Sequence, residues 1–441
     1  MAPLLLVVTV FLLVLAIAYF KVHPFVALLG FAWLFGIASG MPAEEAVSIL
    51  LEGFGNTLKW IALIMIFGTF IGEVARETGG ARRIADATLK AFGKKRLPVA
   101  MGFTGYIVSI PVFVDVAYIM MKSITESLSR KSGRGILVVG LSLVAGLTAT
   151  HALLPPTPGP LAVAAMLGAN LGKVILVSGF VALCAMAGGI AWAVYGCARF
   201  KLKDSEEPGI VDTTNDVTDP HSFTPTLVAF FPILIPLLLI AVHSFSADDG
   251  SGWIPDQIRF LGIPVVALCI GALLSLIQFG RHFKIHKAGQ LIESSIVKSA
   301  LVIMITAAGG AFGHVIRNSG VVEDLSAYSG SLGSIGFLLP FVVAALFTTA
   351  TGSITVSMVT SASITAPLLS QLNVSPEMAT ALIGCGAFCV FHVNASFFWL
   401  FQRLHNVPPA ILLRTYTLQS LVMGLSGLFA VLILRLLFSV T

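Results

Sequence analysis

Charged residues are scarce in this chain. Asp, Glu, Lys and Arg form 11% of its 441 residues, while hydrophobic residues form 57%. Soluble proteins carry about 25% charged residues, because charges cover their surfaces. This scarcity excludes a large soluble domain. Apolar runs of roughly 20 residues, enough to cross a bilayer, recur along the sequence, so most of the surface is predicted to face lipid.

Signals of cofactor and metal chemistry are also few. The five cysteines lie in apolar runs, and the pair Cys385 and Cys389 lacks other soft ligands nearby, so we expect packed thiols. The chain has no GxGxxG that opens a βαβ unit, no GxxxxGK[ST], no HExxH and no GxSxG. We therefore expect no cofactor and no metal. The basic pI of about 9.0 reflects loop Lys and Arg that set membrane orientation rather than bind nucleic acid.

Two stretches of the chain, 241 positions apart, carry the same pattern. Residues 68–79 read GTFIGEVARETG and residues 309–320 read GGAFGHVIRNSG, with five identical aligned residues. The same offset aligns the polar breaks IPVFVD at 110–115 and TGSITV at 351–356. A duplicated apolar chain with matched interruptions is typical of secondary transporters, whose substrate site lies where two repeats meet.

The chain divides into two halves. Apolar runs lie at about 4–20, 24–41, 57–75, 98–121, 135–155 and 160–198, and then at about 223–243, 260–280, 297–316, 335–370, 376–402 and 407–437. The polar stretch 199–222 separates them, so the predicted domains are a first repeat, 1–198, and a second repeat, 223–441. The first run lacks the basic start and cleavage pattern of a signal peptide, and we interpret it as a retained helix.

The distribution of Lys and Arg predicts the topology. Basic residues are dense in 76–96 and in 122–134, on both sides of the run 98–121. A re-entrant hairpin broken at Pro111 keeps both basic stretches in the cytoplasm, in agreement with the positive-inside rule, whereas a full crossing would not. The run 335–370, which has acidic flanks, is predicted to be a second hairpin that enters from outside.

The predicted fold is therefore an all-α polytopic membrane protein of two inverted repeats. Each repeat has five transmembrane helices, a re-entrant hairpin and an unwound helix, and an odd number of crossings precedes the second repeat. Both termini are predicted outside and the linker 199–222 in the cytoplasm. The basic amphipathic piece Gly80–Arg96 is predicted to lie on the cytoplasmic interface.

Polar residues interrupt the apolar runs at both hairpin tips. The first tip holds Ser109 and Asp115, and the second holds Thr351, Ser353 and Thr355. Broken helices leave free N–H groups and a positive dipole end, which suit an anionic substrate. The alternative is that these hydroxyls satisfy only their own helix backbone. Because the breaks occur in both repeats, we favour substrate binding.

Asp115 is the only acidic residue deep in an apolar run of the first half. An unpaired carboxylate at that depth costs roughly 2.5 kcal/mol or more, so we expect it to be paired, protonated or bound to a cation. Two roles for Asp115 remain open: it binds a proton or another cation, or it forms a structural pair near the cytoplasmic rim. Glu73 lies three residues from Arg76, where a salt bridge on one helix face is the commoner outcome.

A second pair of interruptions lies at equivalent positions of the two repeats. Residues 148–160 read TATHALLPPTPGP, whose four prolines prevent a continuous helix, and the counterpart at 391–396 reads FHVNAS. His151 and His392 align across the repeats, each beside a break. This arrangement favours substrate contact or proton relay over two isolated structural histidines.

Four ordered motifs carry a resemblance to a known family. HPF at 23–25, IPVFVDV at 110–116, THALLPPTPGP at 150–160 and HVNASFFW at 392–399 together resemble the gluconate permease family of proton-coupled symporters, from about residue 20 to the C-terminus. The resemblance implies a bacterial inner-membrane carrier of the ion-transporter superfamily that imports gluconate or a related small hydroxy-carboxylate with protons. It also implies a dimeric scaffold and a transport domain that moves as an elevator.

Two departures from the family pattern concern the substrate. Thr157 replaces the histidine that the family commonly has within PPxPGP, and Ala395 and Phe397 replace the acidic residue and the glycine of HVNDSGFW. The lost carboxylate and the added ring predict a smaller, less polar site. Gluconate, shorter hydroxy-acids and an amino acid such as D-serine are all candidate substrates.

The sequence as a whole predicts a proton-coupled importer of small hydroxylated carboxylates. Sodium coupling, through Asp115, hydroxyls and tip carbonyls, is the alternative within transport. An intramembrane enzyme and a passive channel are the alternatives of other classes. The residues assigned to substrate binding are Ser109, Asp115, His151, Thr157, Thr351, Ser353, Thr355, His392, Asn394 and Ser396. Three of them, Asp115, His151 and His392, are also assigned to proton coupling.

Overall fold

A computed structural model describes residues 2–92, 96–110, 112–200, 225–248, 255–282, 284–321 and 333–438. Within these ranges every regular element is helical. Pro111, residues 93–95 of the amphipathic piece and residues 201–222 of the predicted linker lie outside them.

The helices of the first half are α1 (Ala2–Ala18), α2 (Pro24–Ala38), α3 (Ala43–Glu77), α4 (Gly80–Phe92), α5 (Leu97–Val108), α6 (Val114–Ser132), α7 (Ile136–Leu153), α8 (Pro158–Leu167) and α9 (Leu171–Tyr195). Those of the second half are α10 (Thr226–Asp248), α11 (Asp256–Leu261), α12 (Pro264–Ser275), α13 (Ile285–Asn318), α14 (Leu339–Thr351), α15 (Ile354–Thr365), α16 (Pro376–Ala387), α17 (Ser396–His405), α18 (Pro409–Leu412) and α19 (Leu418–Phe438).

The same order of elements occurs in both halves. A long helix, α3 or α13, precedes a helix pair separated by a short break, and a second broken pair and a final long helix follow. The breaks fall where the sequence predicts them, because Gly352 adopts the left-handed conformation that ends a helix at little cost, and clustered prolines cannot continue one. The inverted orientation of the two repeats stays a prediction.

Six helical segments in the described part of the chain are long and apolar enough to cross a membrane. They are Ala43–Glu77, Ile136–Leu167, Leu171–Arg199, Thr226–Ser244, Ile285–Asn318 and Pro409–Leu437. Large apolar side chains remain exposed on the outer helices, such as Leu238 on α10 and Phe429 on α19, as expected of surfaces that face lipid. The number of crossings, ten by prediction, stays untested.

Helix α7 forms the centre of the fold. Its residues from Leu137 to Leu153 are all buried, which agrees with a helix that is apolar all round. It meets α5 through glycines, since a Cβ on Gly146 would lie 1.9 Å from the Gly102 carbonyl oxygen. Such backbone-to-backbone contact is the usual way in which membrane helices pack closely. The breaks at the end of α7 are therefore held on a rigid support.

The long helices α3 and α13 pack side by side and are joined by ion pairs. Glu73, 6% exposed, lies 2.6 Å from Nζ of Lys298 and 3.3 Å from the Arg76 guanidinium. Glu77 pairs with Lys287 at 2.7 Å. The interpretation of Glu73 as a partner of Arg76 is thus confirmed, and Lys298 adds a contact between the helices.

Helix α4 is amphipathic, as its sequence predicts. Ile84, Ala85 and Thr88 are buried, whereas Arg83 and Lys90 are exposed. The buried face packs against α5 and α10. Its position at the cytoplasmic interface stays a prediction.

The apolar run 160–198 is not one continuous helix. Gly168 ends α8 with a φ of +66°, and Asn170 starts α9 by accepting a hydrogen bond from the Lys173 N–H at 3.1 Å. A left-handed glycine followed by an asparagine cap is a usual helix boundary. The short helix α8 is therefore separate; it begins within the core and ends at the exposed Gly168.

Candidate functional site

The second hairpin tip is a two-residue break between α14 and α15. Gly352 ends α14 with a φ of +70°, a conformation that glycine adopts at little cost. Its N–H donates to the Thr348 carbonyl at 2.8 Å, and the Ser353 hydroxyl caps α15 by accepting from a backbone N–H at 3.4 Å. The Thr351 hydroxyl donates to the Phe347 carbonyl at 2.7 Å. The positive end of α15 therefore lies at this break.

This tip rests on the break between α16 and α17. The Asn394 amide nitrogen donates to the Thr349 carbonyl at 2.7 Å and lies 3.3 Å from the Thr348 carbonyl. Nε2 of His392 lies 2.8 Å from the same Thr349 oxygen and must donate, since a carbonyl only accepts. A Cβ on Gly352 would lie 2.4 Å from the Asn394 carbonyl oxygen. The two breaks are thus in backbone contact.

The structure brings together four residues that the sequence predicts for this half, Thr351, Ser353, His392 and Asn394. Thr355 is half-buried in the first turn of α15, and Ser396 is exposed as the first residue of α17. Both lie at the breaks, and neither is as enclosed as Asn394, whose Oδ1 is buried without a hydrogen-bond partner in the described part of the chain.

A buried hydroxyl pair beneath the second tip is not singled out by the sequence pattern. The Thr348 hydroxyl lies 2.7 Å from that of Ser357 and 2.8 Å from the Ala387 carbonyl. The Ser357 hydroxyl donates to the Ala344 carbonyl at 2.5 Å. These bonds tie α14, α15 and α16 together, so the pair fixes the position of the tip.

A small cavity lies at the breaks of the first half. It is lined by residues of α3, the α5–α6 break and the α7–α8 break, namely Gly68, Thr69, Ile110, Val112, Phe113, His151, Pro156, Thr157 and Pro158. Its volume of about 10 Å³ suits roughly one water molecule. A sugar acid is far larger, so its entry would require the lining elements to move apart.

Two buried polar atoms at this cavity have no hydrogen-bond partner among the residues that the structure describes. They are Nδ1 of His151 and the hydroxyl oxygen of Thr69. His151 is 8% exposed in the last turn of α7, and the Phe113 ring packs 5.6 Å from its imidazole. Each unpaired buried group costs about 1–3 kcal/mol. A ligand that bonds both atoms would remove this cost.

The proline-rich break between α7 and α8 is confirmed. Helix α7 ends at Leu153, and α8 begins at Pro158 with Thr157 as its N-cap residue. The Thr157 hydroxyl donates to the Leu154 carbonyl. Thr157 therefore lines the cavity, and its hydroxyl group donates the hydrogen bond that closes the turn.

Ser109 and Asp115 have different surroundings. Ser109 is fully buried, and its hydroxyl donates to the Val112 carbonyl at 3.2 Å, which stabilises the α5–α6 break from within. Asp115, half-buried at the start of α6, does not line the cavity. Near the second half's break, Tyr416 stacks on Phe391 with 5.9 Å between ring centroids.

The two half-sites meet where α7 packs against α16 and α8 against α15. A Cβ on Gly384 would lie 2.6 Å from the carbonyl oxygen of Ala152, the residue after His151. A Cβ on Gly159 would lie 2.7 Å from the Met358 sulfur. The breaks of both halves therefore belong to one central assembly.

Thr69 and Tyr416 are site residues that sequence reasoning misses. Thr69 lies within the duplicated segment 68–79 and next to the repeated Gly68, but its own counterpart is Gly310, so the repeat marks the segment rather than this residue. Tyr416 lies in a π-helical turn, Leu413–Thr417, and no local sequence pattern predicts this turn. In the described ranges, no group of three or more His, Cys, Asp or Glu could hold a metal ion.

Comparison with known proteins matches residues 1–437 to the GntP family permease group. A gluconate permease of Pseudomonas aeruginosa is 33% identical over 437 residues, which cover 97% of this chain and 96% of the relative. The high-affinity gluconate transporter of Escherichia coli K12 is 31% identical, with 97% and 98% covered. The L-idonate transporter of the same organism's Gnt-II system is 30% identical, with 96% of each covered.

A solved structure shares the fold. The YdaH transporter of Alcanivorax borkumensis superposes with a TM-score of 0.68 at 14% sequence identity, covering 95% of this chain and 99% of that one. At this identity the likeness concerns the fold alone.

Proposed function

Because the chain belongs to the GntP permease family, we propose that it is a secondary transporter that imports a small hydroxy-carboxylate of the gluconate type together with protons. Membership of this family and the apolar helices make the chain a multi-pass transporter of the bacterial inner membrane. Its relatives are permeases, which indicates transport rather than catalysis.

The observation that carries the proposal is the set of four helix N-termini at paired breaks. Helices α6, α8, α15 and α17 all begin there, and a helix N-terminus presents free N–H groups with a partial positive charge. In α8, whose first three residues include Pro158 and Pro160, only the N–H of Gly159 is available among them. A carboxylate is the group that such a site stabilises. Unpaired buried atoms on Thr69, His151 and Asn394 supply donors and acceptors for hydroxyl groups.

We assign roles to the remaining polar residues on this basis. Ser353 and Thr355 at the start of α15 bind the carboxylate, and His392 and Asn394 bind hydroxyls while they hold the tip. Asp115, half-buried in the first turn of α6, or a histidine carries the proton. Ser109 and Thr157 shape the breaks, and Ser396 lies at the rim.

Phe397, one of the departures from the family pattern, packs away from the open part of the break. Its ring is 5.3 Å from that of Tyr118 and 5.7 Å from that of Tyr416. Phe397 and Ala395 are both buried, so the start of α17 presents an apolar surface. This supports a substrate no larger and no more polar than gluconate, and shorter hydroxy-acids and D-serine are the other candidates.

The proposal includes motion. Since the first-half cavity is too small for the substrate, α3 and the breaks must separate during transport, which supports the elevator mechanism that the family resemblance implies. The homodimer that it also implies is part of the proposal, and light scattering of the purified protein tests it.

Uptake of labelled gluconate into proteoliposomes tests the function. We expect accumulation that depends on an inward proton gradient, disappears when an ionophore collapses it, and survives replacement of sodium by choline. Uptake that follows sodium and ignores the proton gradient would instead establish the alternative, sodium coupling through Asp115, hydroxyls and tip carbonyls. Counterflow exchange of labelled substrate distinguishes a carrier from a channel.

A further inference from the structure

A surface cleft lies where α9 ends beside the start of α19. Its volume is about 630 Å³, and its lining includes Trp192, Tyr195, Arg199, Arg414 and Leu418. It shares no residue with the cavity at His151. The proposed transport function therefore leaves this cleft without a role.

The mouth of the cleft carries two arginines. Arg199 and Arg414 are both exposed, and neither forms an ion pair with a residue that the structure describes. Arg414 lies in the π-helical turn Leu413–Thr417, which the Trp192 indole N–H anchors by donating to the Thr415 carbonyl at 2.9 Å. Two guanidinium groups are thus presented at one opening.

The rest of the lining is mostly apolar and continues onto the outer surface. Helices α9 and α19 pack closely along this seam, since a Cβ on Gly188 would lie 2.2 Å from the Ser426 hydroxyl. Exposed apolar side chains follow on both helices, including Phe180 at 44% and Phe429 at 64%. An aliphatic chain that enters the cleft can therefore remain in contact with apolar surface along the membrane.

The position of the cleft fits the membrane interface. Trp192 and Tyr195 are the residue types that concentrate at headgroup depth. The end of α9 precedes the predicted cytoplasmic linker, and the cytoplasmic leaflet is rich in anionic lipid. Basic pockets between transmembrane helices on this side bind lipid phosphates.

We propose that this cleft binds an anionic phospholipid, with the phosphodiester between Arg199 and Arg414 and an acyl chain on the apolar floor. A guanidinium group donates paired hydrogen bonds to phosphate oxygens. A hydrophilic sugar acid would leave the apolar floor uncovered, so the cleft does not suit the proposed transport substrate.

The test uses the full-length protein, purified and delipidated in detergent, and titrated with dioleoyl phosphatidylglycerol or dioleoyl phosphatidylcholine. Bound lipid is counted by native mass spectrometry, and the melting temperature is recorded. We expect phosphatidylglycerol to bind more tightly and to raise the melting temperature more. The double variant Arg199→Gln/Arg414→Gln should lose about thirtyfold in affinity for it and should no longer distinguish the two lipids.

Two further variants control this result. Arg130→Gln/Arg134→Gln removes the same charge from exposed positions at the end of α6 and should keep the preference. Ala191→Trp, which fills the cleft while both arginines stay, should weaken binding of both lipids.

Four results would overturn the proposal. They are equal binding of the two lipids by the native protein, unchanged binding by the Arg199/Arg414 variant, an equal loss in the Arg130/Arg134 control, and saturable binding of inorganic phosphate that depends on the two cleft arginines. None of these measurements depends on transport, so the proposed function is tested separately.

Discussion

Replacement of Gly352 by alanine tests whether the contact between the second hairpin tip and the α16–α17 break controls transport. A Cβ at this position would lie 2.4 Å from the Asn394 carbonyl oxygen and 2.7 Å from the Ala395 nitrogen. Both atoms belong to backbone and cannot rotate away. The tip must therefore withdraw by about 0.6 Å before the nearest separation reaches 3.0 Å.

This withdrawal weakens the bonds that fix the tip. The 2.7 Å bond from Asn394 to the Thr349 carbonyl lengthens, and the 3.3 Å contact to the Thr348 carbonyl is lost. At about 1 kcal/mol for each hydrogen bond, we expect transport to fall by about ten- to thirtyfold. The left-handed backbone adds a cost of about 1–2 kcal/mol to folding.

Gly133→Ala is the matched control. Gly133 also ends a helix, with a φ of +66°, but no atom lies within 4 Å of its Cβ position. It should show the folding cost without the transport defect. The assays are labelled gluconate uptake in proteoliposomes and thermal unfolding in detergent. Native transport by Gly352→Ala, or an equal transport defect in Gly133→Ala, would refute the role of this contact.

Three further predictions follow from the buried polar atoms. His151→Leu and Thr69→Val remove groups that lack a hydrogen-bond partner in the described structure. We therefore expect uptake to fall by about fivefold or more while the melting temperature stays unchanged or rises. A large loss of stability in either variant would contradict this. Thr348→Val removes the bonds to the Ser357 hydroxyl and to the Ala387 carbonyl and should destabilise by about 1–3 kcal/mol, measured by thermal unfolding, whereas the exposed Thr349→Val should not. Lys298→Met leaves Glu73 with Arg76 and a 3.5 Å contact from the Ser294 hydroxyl and should destabilise by about 1–2 kcal/mol, a value kept low because Lys298 is half-exposed; an unchanged melting temperature would exclude a structural role for this pair.

The sequence predicts the breaks well because their causes are local. Pro155 and Pro156 follow the end of α7 and cannot continue it, and Gly352 ends α14 by adopting a left-handed conformation at little cost. The boundary between α8 and α9 has equally local causes in Gly168 and Asn170. It is not predicted, because both residues lie within one long apolar run.

The partners across the breaks could not be predicted, because they depend on packing between distant segments. His392 binds the Thr349 carbonyl, 43 positions away, and no periodicity records that contact. Thr69 reaches the cavity because α3 lies against the Pro156 turn, where a Cβ on Gly68 would lie 3.1 Å from the Pro156 carbonyl oxygen. The sequence predicts Asp115 as a deep carboxylate, and the structure shows it half-buried in the first turn of α6.

Proton movement driven by the substrate tests the central claim most directly. Proteoliposomes with a pH-sensitive dye inside, equal pH on both sides and no sodium receive an inward gradient of gluconate. If the chain couples hydroxy-carboxylate entry to protons, the interior acidifies beyond the level seen in protein-free liposomes, and His151→Leu reduces the rate. Entry of labelled gluconate without any acidification would contradict proton coupling.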